Sequence, residues 1–97
     1  MTISSTLRAE SAPDVLIREI GGEAVLLDLK TERYLGLNET GTRMWQLLME
    51  SASIESACAA LLSEYEVDPD GLRQDFSDFI DKLTANGLIA LLPTLRP

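Results

Sequence analysis

Val25-Leu26-Leu27-Asp28-Leu29-Lys30-Thr31-Glu32-Arg33-Tyr34-Leu35-Gly36-Leu37-Asn38-Glu39-Thr40-Gly41-Thr42 is the stretch that decides the fold. It sets a polar turn, Lys30-Thr31-Glu32, between two short runs of strand composition. The second run leads through Leu37-Asn38 directly into a helix start. Arg33 to Leu37 therefore reads as the last strand of a small sheet, with a backbone edge left unpaired for an extended partner. Alternation along it puts Arg33, Leu35 and Leu37 on one face and Tyr34 and Gly36 on the other. One face must serve the core, and both remain candidates for that role.

Upstream of this stretch, Asp14 to Ile20 reads as a first strand and Ala24 to Leu29 as a second. Gly21-Gly22 between them is a two-residue hairpin signal, since glycine takes positive φ without a Cβ penalty. Short consecutive connections predict an antiparallel meander with strands in chain order, so both outer strands are edges. Residues 1 to 13 are Ser- and Thr-rich up to Pro13 and read as a flexible lead-in.

Downstream, Asn38 is a suitable N-cap and Glu39 complements the helix dipole. A first helix is predicted from Glu39 to about Glu50, burying Gly41, Met44, Trp45 and Leu48, with Leu47 at the margin. Ser51-Ala52-Ser53 ends it and caps a second. There Ile54, Ala57, Cys58, Leu61, Leu62 and Tyr65 recur at i, i+3, i+4, i+7, i+8 and i+11, the clearest helical period in the chain. Cys58 falls on that stripe and reads as a small buried hydrophobe. Asp68-Pro69 opens a third helix, with Pro69 at its first position and Leu72, Phe76, Phe79, Ile80 and Leu83 as its apolar stripe. Asn86-Gly87 ends it. Leu88 to Leu92 is a short apolar run that suits a returning strand or a cover for the core, and residues 93–97 read as a tail.

Three strands followed by three helices predict an α+β domain over residues 14–92, with the helices on one face of the sheet. Ninety-seven residues and 45% hydrophobic content fit one such domain. No apolar run approaches the roughly 18 residues of a membrane span, and the polar N-terminus lacks the apolar segment of a secretory signal. A single cysteine excludes an internal disulfide framework. These features point to a cytoplasmic protein.

The formal charge is −8, from 16 acids and 8 bases. That balance opposes nucleic acid and anionic membranes, whose affinity comes mainly from clustered Lys and Arg. From Glu64 to Asp81 seven acids face Arg73 alone, which fits a solvated helix face or a surface that steers a basic partner. There is no histidine, so the commonest general base and the Ser-His and Cys-His pairs are missing. One cysteine without histidine makes no typical zinc site. Acids at helical spacing, such as Asp75, Asp78 and Asp81, fit a solvated face better than a catalytic pair. Asp68-Pro69-Asp70-Gly71 opens like a calcium loop, but the remaining ligands do not follow. The expectation is a chain with no enzyme activity, no metal and no cofactor.

Three segments carry a resemblance. Val25 through Gly41, read as strand, turn, Tyr34, small Gly36, Leu37-Asn38 and helix start, resembles the hallmark of PqqD-like proteins. Met44-Trp45-Gln46-Leu47-Leu48 is similar to the helix that follows it in that family. Glu64 to Pro69 through Phe79 to Leu83, closing with Asn86-Gly87-Leu88-Ile89, resembles the family's C-terminal helix. The match covers about residues 15 to 90, and order and spacing carry it rather than any one motif.

The resemblance implies a winged helix-turn-helix-like fold. It also implies a recognition element for ribosomally synthesised, post-translationally modified peptides. In the family the precursor's leader adds as a strand to the third strand and lies in a groove against the third helix. Carried onto this sequence, the peptide-binding positions are Arg33, Tyr34, Leu35, Gly36 and Leu37, with Leu72, Arg73, Phe76, Phe79 and Ile80. Phe76, Phe79 and Ile80 fit ordinary core positions equally well, and Arg33 and Arg73 fit solvated charges. Two settings use small freestanding chains of this kind. In lasso peptide maturation the partner is a leader-cleaving cysteine protease. In quinone-cofactor synthesis the chain acts as a peptide chaperone for a radical enzyme. The LDLKTERYLGLNETG stretch and the Asp-Pro helix start resemble the lasso-associated set. A winged-helix DNA-binding regulator and a dimerisation module using Leu88 to Leu95 are the contrasting readings.

Overall fold

The computed structural model describes residues 7–93. The elements run β1 (Leu7–Ser11), β2 (Val15–Ile20), β3 (Glu23–Asp28), β4 (Arg33–Leu37), α1 (Glu39–Glu50), α2 (Ile54–Glu64), α3 (Pro69–Ala85) and β5 (Ile89–Pro93). They form an antiparallel sheet in the order β2-β3-β4, three helices, and a second antiparallel pair, β1-β5. The α+β, winged helix-turn-helix-like class expected from sequence is the class observed.

Local chemistry accounts for most boundaries. Gly21 and Gly22 take φ of 60° and 84° and close the β2–β3 hairpin, whose last pair is Ile20 with Glu23. Buried Asp28 accepts the Lys30 backbone N–H at 3.0 Å, which starts the turn into β4. The Asn38 side chain accepts the Gly41 N–H at 2.8 Å and so caps α1; Ser53 and Asp68 cap α2 and α3 in the same way. α3 stops in a Schellman motif. Gly87 has φ 68°, its N–H donates to the Thr84 carbonyl, and the Leu88 N–H donates to the Leu83 carbonyl. That turn sends Leu88 and Ile89, both buried, back across the core.

The core lies between the inner face of the three-stranded sheet and the helices. Phe76, Leu26, Leu48, Leu61 and Leu83 are its largest fully buried side chains. Leu47, placed at the margin of α1 by its spacing, is buried, while Gly41 is only partly so. The opposite face of β2-β3-β4 is open, with Leu16, Ile20 and Tyr34 exposed on it.

The flexible lead-in is corrected at Leu7–Ser11. This segment forms β1 and pairs with β5 in a register that sets Ala9 across from Leu91, and Ala9 is buried. Its partner lies at the far end of the chain, so no local pattern in a Ser/Thr-rich stretch announces the pairing. The apolar run Leu88 to Leu92 takes the strand alternative from Ile89 onward, with Leu88 and Ile89 turned inward. Pro93, read from sequence as the first residue of the tail, is the last residue of β5 and pairs with Leu7; the remaining tail residues 94–97 and lead-in residues 1–6 lie outside the described residues.

Candidate functional site

Among the described residues β4 is hydrogen-bonded to a strand on one side only. Its residues pair with β3, with Leu35 across from Leu26 and Gly36 across from Val25. No other described strand lies along its outer margin. The alternation left open by the sequence resolves clearly. Leu37 is buried and Leu35 half-buried toward the helices, whereas Tyr34 is 75% exposed on the outer face beside Gly36.

Next to that margin is a small concavity of about 130 Å³. Arg33, Tyr34 and Leu35 form its strand side, Lys82, Asn86 and Leu88 its helix side, and Asp28 and Thr31 close the end nearest the β3–β4 turn. Lys82 and Asn86 identify which stripe of α3 faces the groove. Counting back along the helix, Asp75, Phe79, Lys82 and Asn86 fall at i, i+4, i+7 and i+11, one continuous face. Half-buried Phe79 lies on that face next to the core, although it does not line the concavity itself.

The other helix positions expected to bind peptide are placed elsewhere. Phe76 is fully buried, and Leu72 and Ile80 nearly so; together with Leu83 they form the core stripe of α3 and present almost no surface to a ligand. Arg73 projects from the far flank of α3. It lies 3.5 Å from Asp70 and close enough to Cys58 of α2 to oppose the effect of burial on that thiol. Burial is the larger influence and pushes the Cys58 thiol up, as expected for a packed cysteine. Lys82, Asn86 and Leu88, which line the concavity, are outside the positions expected from sequence. The period that runs through Phe79 reaches the first two, but their polarity removed them from an apolar stripe.

Charge at the groove runs against the chain as a whole. In a protein of net charge −8, the two mouth residues Arg33 and Lys82 are exposed cations. Asp75, Asp78 and Asp81 are exposed on α3. The site offers outward main-chain groups, an apolar floor at Leu35 and Leu88, two positive side chains at its mouth and the buried Asp28 carboxylate at its closed end. This is the chemistry of gripping an extended segment. Among the described residues no group of three or more His, Cys, Asp or Glu side chains is placed to hold a metal ion, and no helix is long and apolar enough to cross a membrane.

A family model described as "Coenzyme PQQ synthesis protein D (PqqD)" matches residues 23–89. The chain belongs to the PqqD family of peptide-recognition elements. Two solved structures are similar over most of its length. One is TbiB1 in complex with the TbiA(beta) leader peptide, 35% identical with TM-score 0.76, the match covering 82% of this chain and 93% of that one. The other is a lasso peptide synthetase B1 complexed with the leader peptide, 26% identical with TM-score 0.76, covering 86% and 98%. No protein of curated function matches the sequence significantly.

Proposed function

We propose that this chain binds the leader segment of a ribosomally synthesised precursor peptide and delivers it to the protease that removes the leader in lasso peptide maturation. The observation that carries the reading is the margin of β4 that no described strand covers, beside the groove of Leu35, Leu88, Lys82 and Asn86. The leader adds as a fourth strand along Arg33–Leu37. Tyr34 and Gly36 then lie on its outer side, while Leu35 and Phe79 take its inward side chains. Both similar structures hold a leader peptide, and one is a lasso synthetase component.

Magnitudes show what the leader must bring. A five-residue edge offers about five outward main-chain groups, at about 0.5–1.5 kcal/mol net for each hydrogen bond. That barely meets the lower end of the about 4–15 kcal/mol that association costs. Buried apolar anchors, at about 1.5–3 kcal/mol each, supply the surplus. A leader with one or two such side chains facing Leu35 and Phe79, and a carboxylate near Arg33 and Lys82, fits this groove.

The direct test is titration with the leader of the precursor encoded beside this gene, read by amide hydrogen exchange. Protection confined to Arg33–Leu37 and the exposed side of α3 is the expected result; binding that leaves those amides exchanging freely overturns strand addition. Delivery is tested by adding the chain to protease and precursor, where faster leader removal is expected. The family description favours a second reading, delivery to a radical enzyme in quinone-cofactor synthesis. Co-purification with that enzyme and indifference of the protease would select it. DNA recognition is disfavoured by the exposed Asp75, Asp78 and Asp81 on the helix that would enter the groove.

A further inference from the structure

Gly36 has no reason within the free chain to be glycine. Gly21, Gly22 and Gly87 occupy positive φ, but Gly36 does not, and a Cβ built on it meets no described atom within 4 Å. Glycine inside a strand forfeits side-chain packing and adds backbone entropy to be lost on folding. Any strand-forming residue would suit the isolated protein better, so the requirement comes from what lies over it.

The surroundings indicate what that is. On the outer face of the sheet Arg18, Val25 and Gly36 stand in one cross-strand row. A concavity of about 640 Å³ opens there, lined among others by Arg18, Ile20, Val25, Leu27, Gly36 and Asn38. Its walls are mainly apolar, and at Gly36 it runs out to the unpaired margin of β4. A strand added at that margin points its residue opposite Gly36 to this same face, because directly opposed residues share a side of the sheet.

We infer that Gly36 is a specificity notch: the peptide residue opposite it carries a large aromatic or aliphatic side chain that folds back across Gly36 onto Val25 and Leu27. The backbones of the added strand and β3 are two strand spacings apart, about 9.5 Å, a gap that a ring and a valine span together only when the strand between lacks a side chain. Aromatic cover of an edge glycine is a recognised way to restore packing at such a position. Arg18 stands beyond Val25 at the far side of the row, while Val25 and Leu27 lie nearest Gly36, so an apolar occupant fits better than an acidic one. This inference rests on strand addition to β4. It adds that the peptide is held from both faces of the strand.

The test uses the full chain and a display library of short random peptides, selected on the wild type and on Gly36→Val. Valine suits a strand, and the space around Gly36 is empty, so this variant is expected to melt at or above the wild-type Tm; Gly36→Ala is the smaller filler. Selection on wild type is expected to fix one large apolar residue, whose replacement by alanine weakens binding roughly ten- to a hundredfold. On Gly36→Val the same replacement is expected to change little, with Gly36→Ala between them. An equal effect of the replacement on all three proteins overturns the notch while leaving strand addition intact. Selected peptides that leave the Arg33–Leu37 amides unprotected overturn strand addition and the notch together.

Discussion

Leu35 of β4 stands across from Leu26 of β3, and no described residue stands across from it on the other side. Consecutive residues of a strand direct their N–H groups to opposite sides. Of Tyr34 and Leu35, one therefore donates toward β3 and the other toward the vacancy. Proline at each position removes one of these donors. The expected outcome is a split pair. One variant keeps a near-native Tm and loses leader affinity by tenfold or more, while the other melts several degrees lower. Calorimetry on both checks it, and two variants that melt normally and bind normally would remove the edge from the site.

The groove mouth carries Arg33 and Lys82, whereas Arg73 lies on the far flank of α3 beside Asp70. Exposed charges act weakly, at about 0–1 kcal/mol per pair, so Arg33→Glu or Lys82→Glu should each weaken an acidic leader by up to about fivefold. The double reversal should add the two effects and fade as salt screens them. Arg73→Glu should leave affinity unchanged. An Arg73→Glu loss as large as that of Lys82→Glu would contradict this assignment of the groove.

Much of this architecture was legible because its signals are local. Gly21-Gly22 announced a hairpin that needs two positive φ values, and Asn38, Ser53 and Asp68 announced caps that each accept the expected N–H. Asn86-Gly87 announced the end of α3, which the structure closes as a Schellman motif. What escaped was non-local. β1 is specified by its pairing with β5 and by packing of Ala9 and Leu7 on the core, contacts that span nearly the whole chain. The groove side of α3 escaped for a different reason. An apolar stripe tells which side of a helix is buried, but the wall of a surface concavity starts where burial stops, beyond half-buried Phe79 at exposed Lys82 and Asn86. Phe76 and Ile80, the more hydrophobic choice, belong to the core for that very reason.

Arg43 of α1 clasps Glu64 at the end of α2 through two bonds, Nε to Oε1 at 2.7 Å and Nη2 to Oε2 at 2.6 Å. The hydrogen bond from Arg43 is the main cause that holds the Glu64 carboxyl below its usual range. A carboxylate with a depressed folded pKa contributes stability above its unfolded pKa, about 4.3 for glutamate. That contribution is lost as pH falls through the lower folded value. Glu64→Gln should therefore melt below wild type at neutral pH, and the gap should close on acidification through this window. A gap that stays constant from neutral to strongly acidic pH would mean that the pair contributes nothing as an ion pair. Arg43 is raised by the same bond, but its titration lies at too high a pH to be read.

β1 offers the sharpest separation between folding and binding. Ala9 is buried across from Leu91, Leu7 packs partly against the core, and the Ala12 N–H continues the ladder to the Leu88 carbonyl at 3.0 Å. β5 follows directly from Leu88, which also lines the groove. Deleting residues 1–11 exposes this apolar surface of β5 and leaves its ladder unpaired. The lost burial is on the order of 2 kcal/mol, and at about 4–8 °C per kcal/mol for a domain of this size the Tm should fall by roughly 10 °C. The single substitution Ala9→Asp should do comparable harm, because a carboxylate is forced into the same apolar contact. Leader affinity measured well below the lowered Tm should change by no more than a few fold, since β4, Lys82 and Asn86 are untouched. A truncated chain that melts like the full one would show β1 to be dispensable. One that folds but no longer binds would move part of the recognition surface onto the β1–β5 pair.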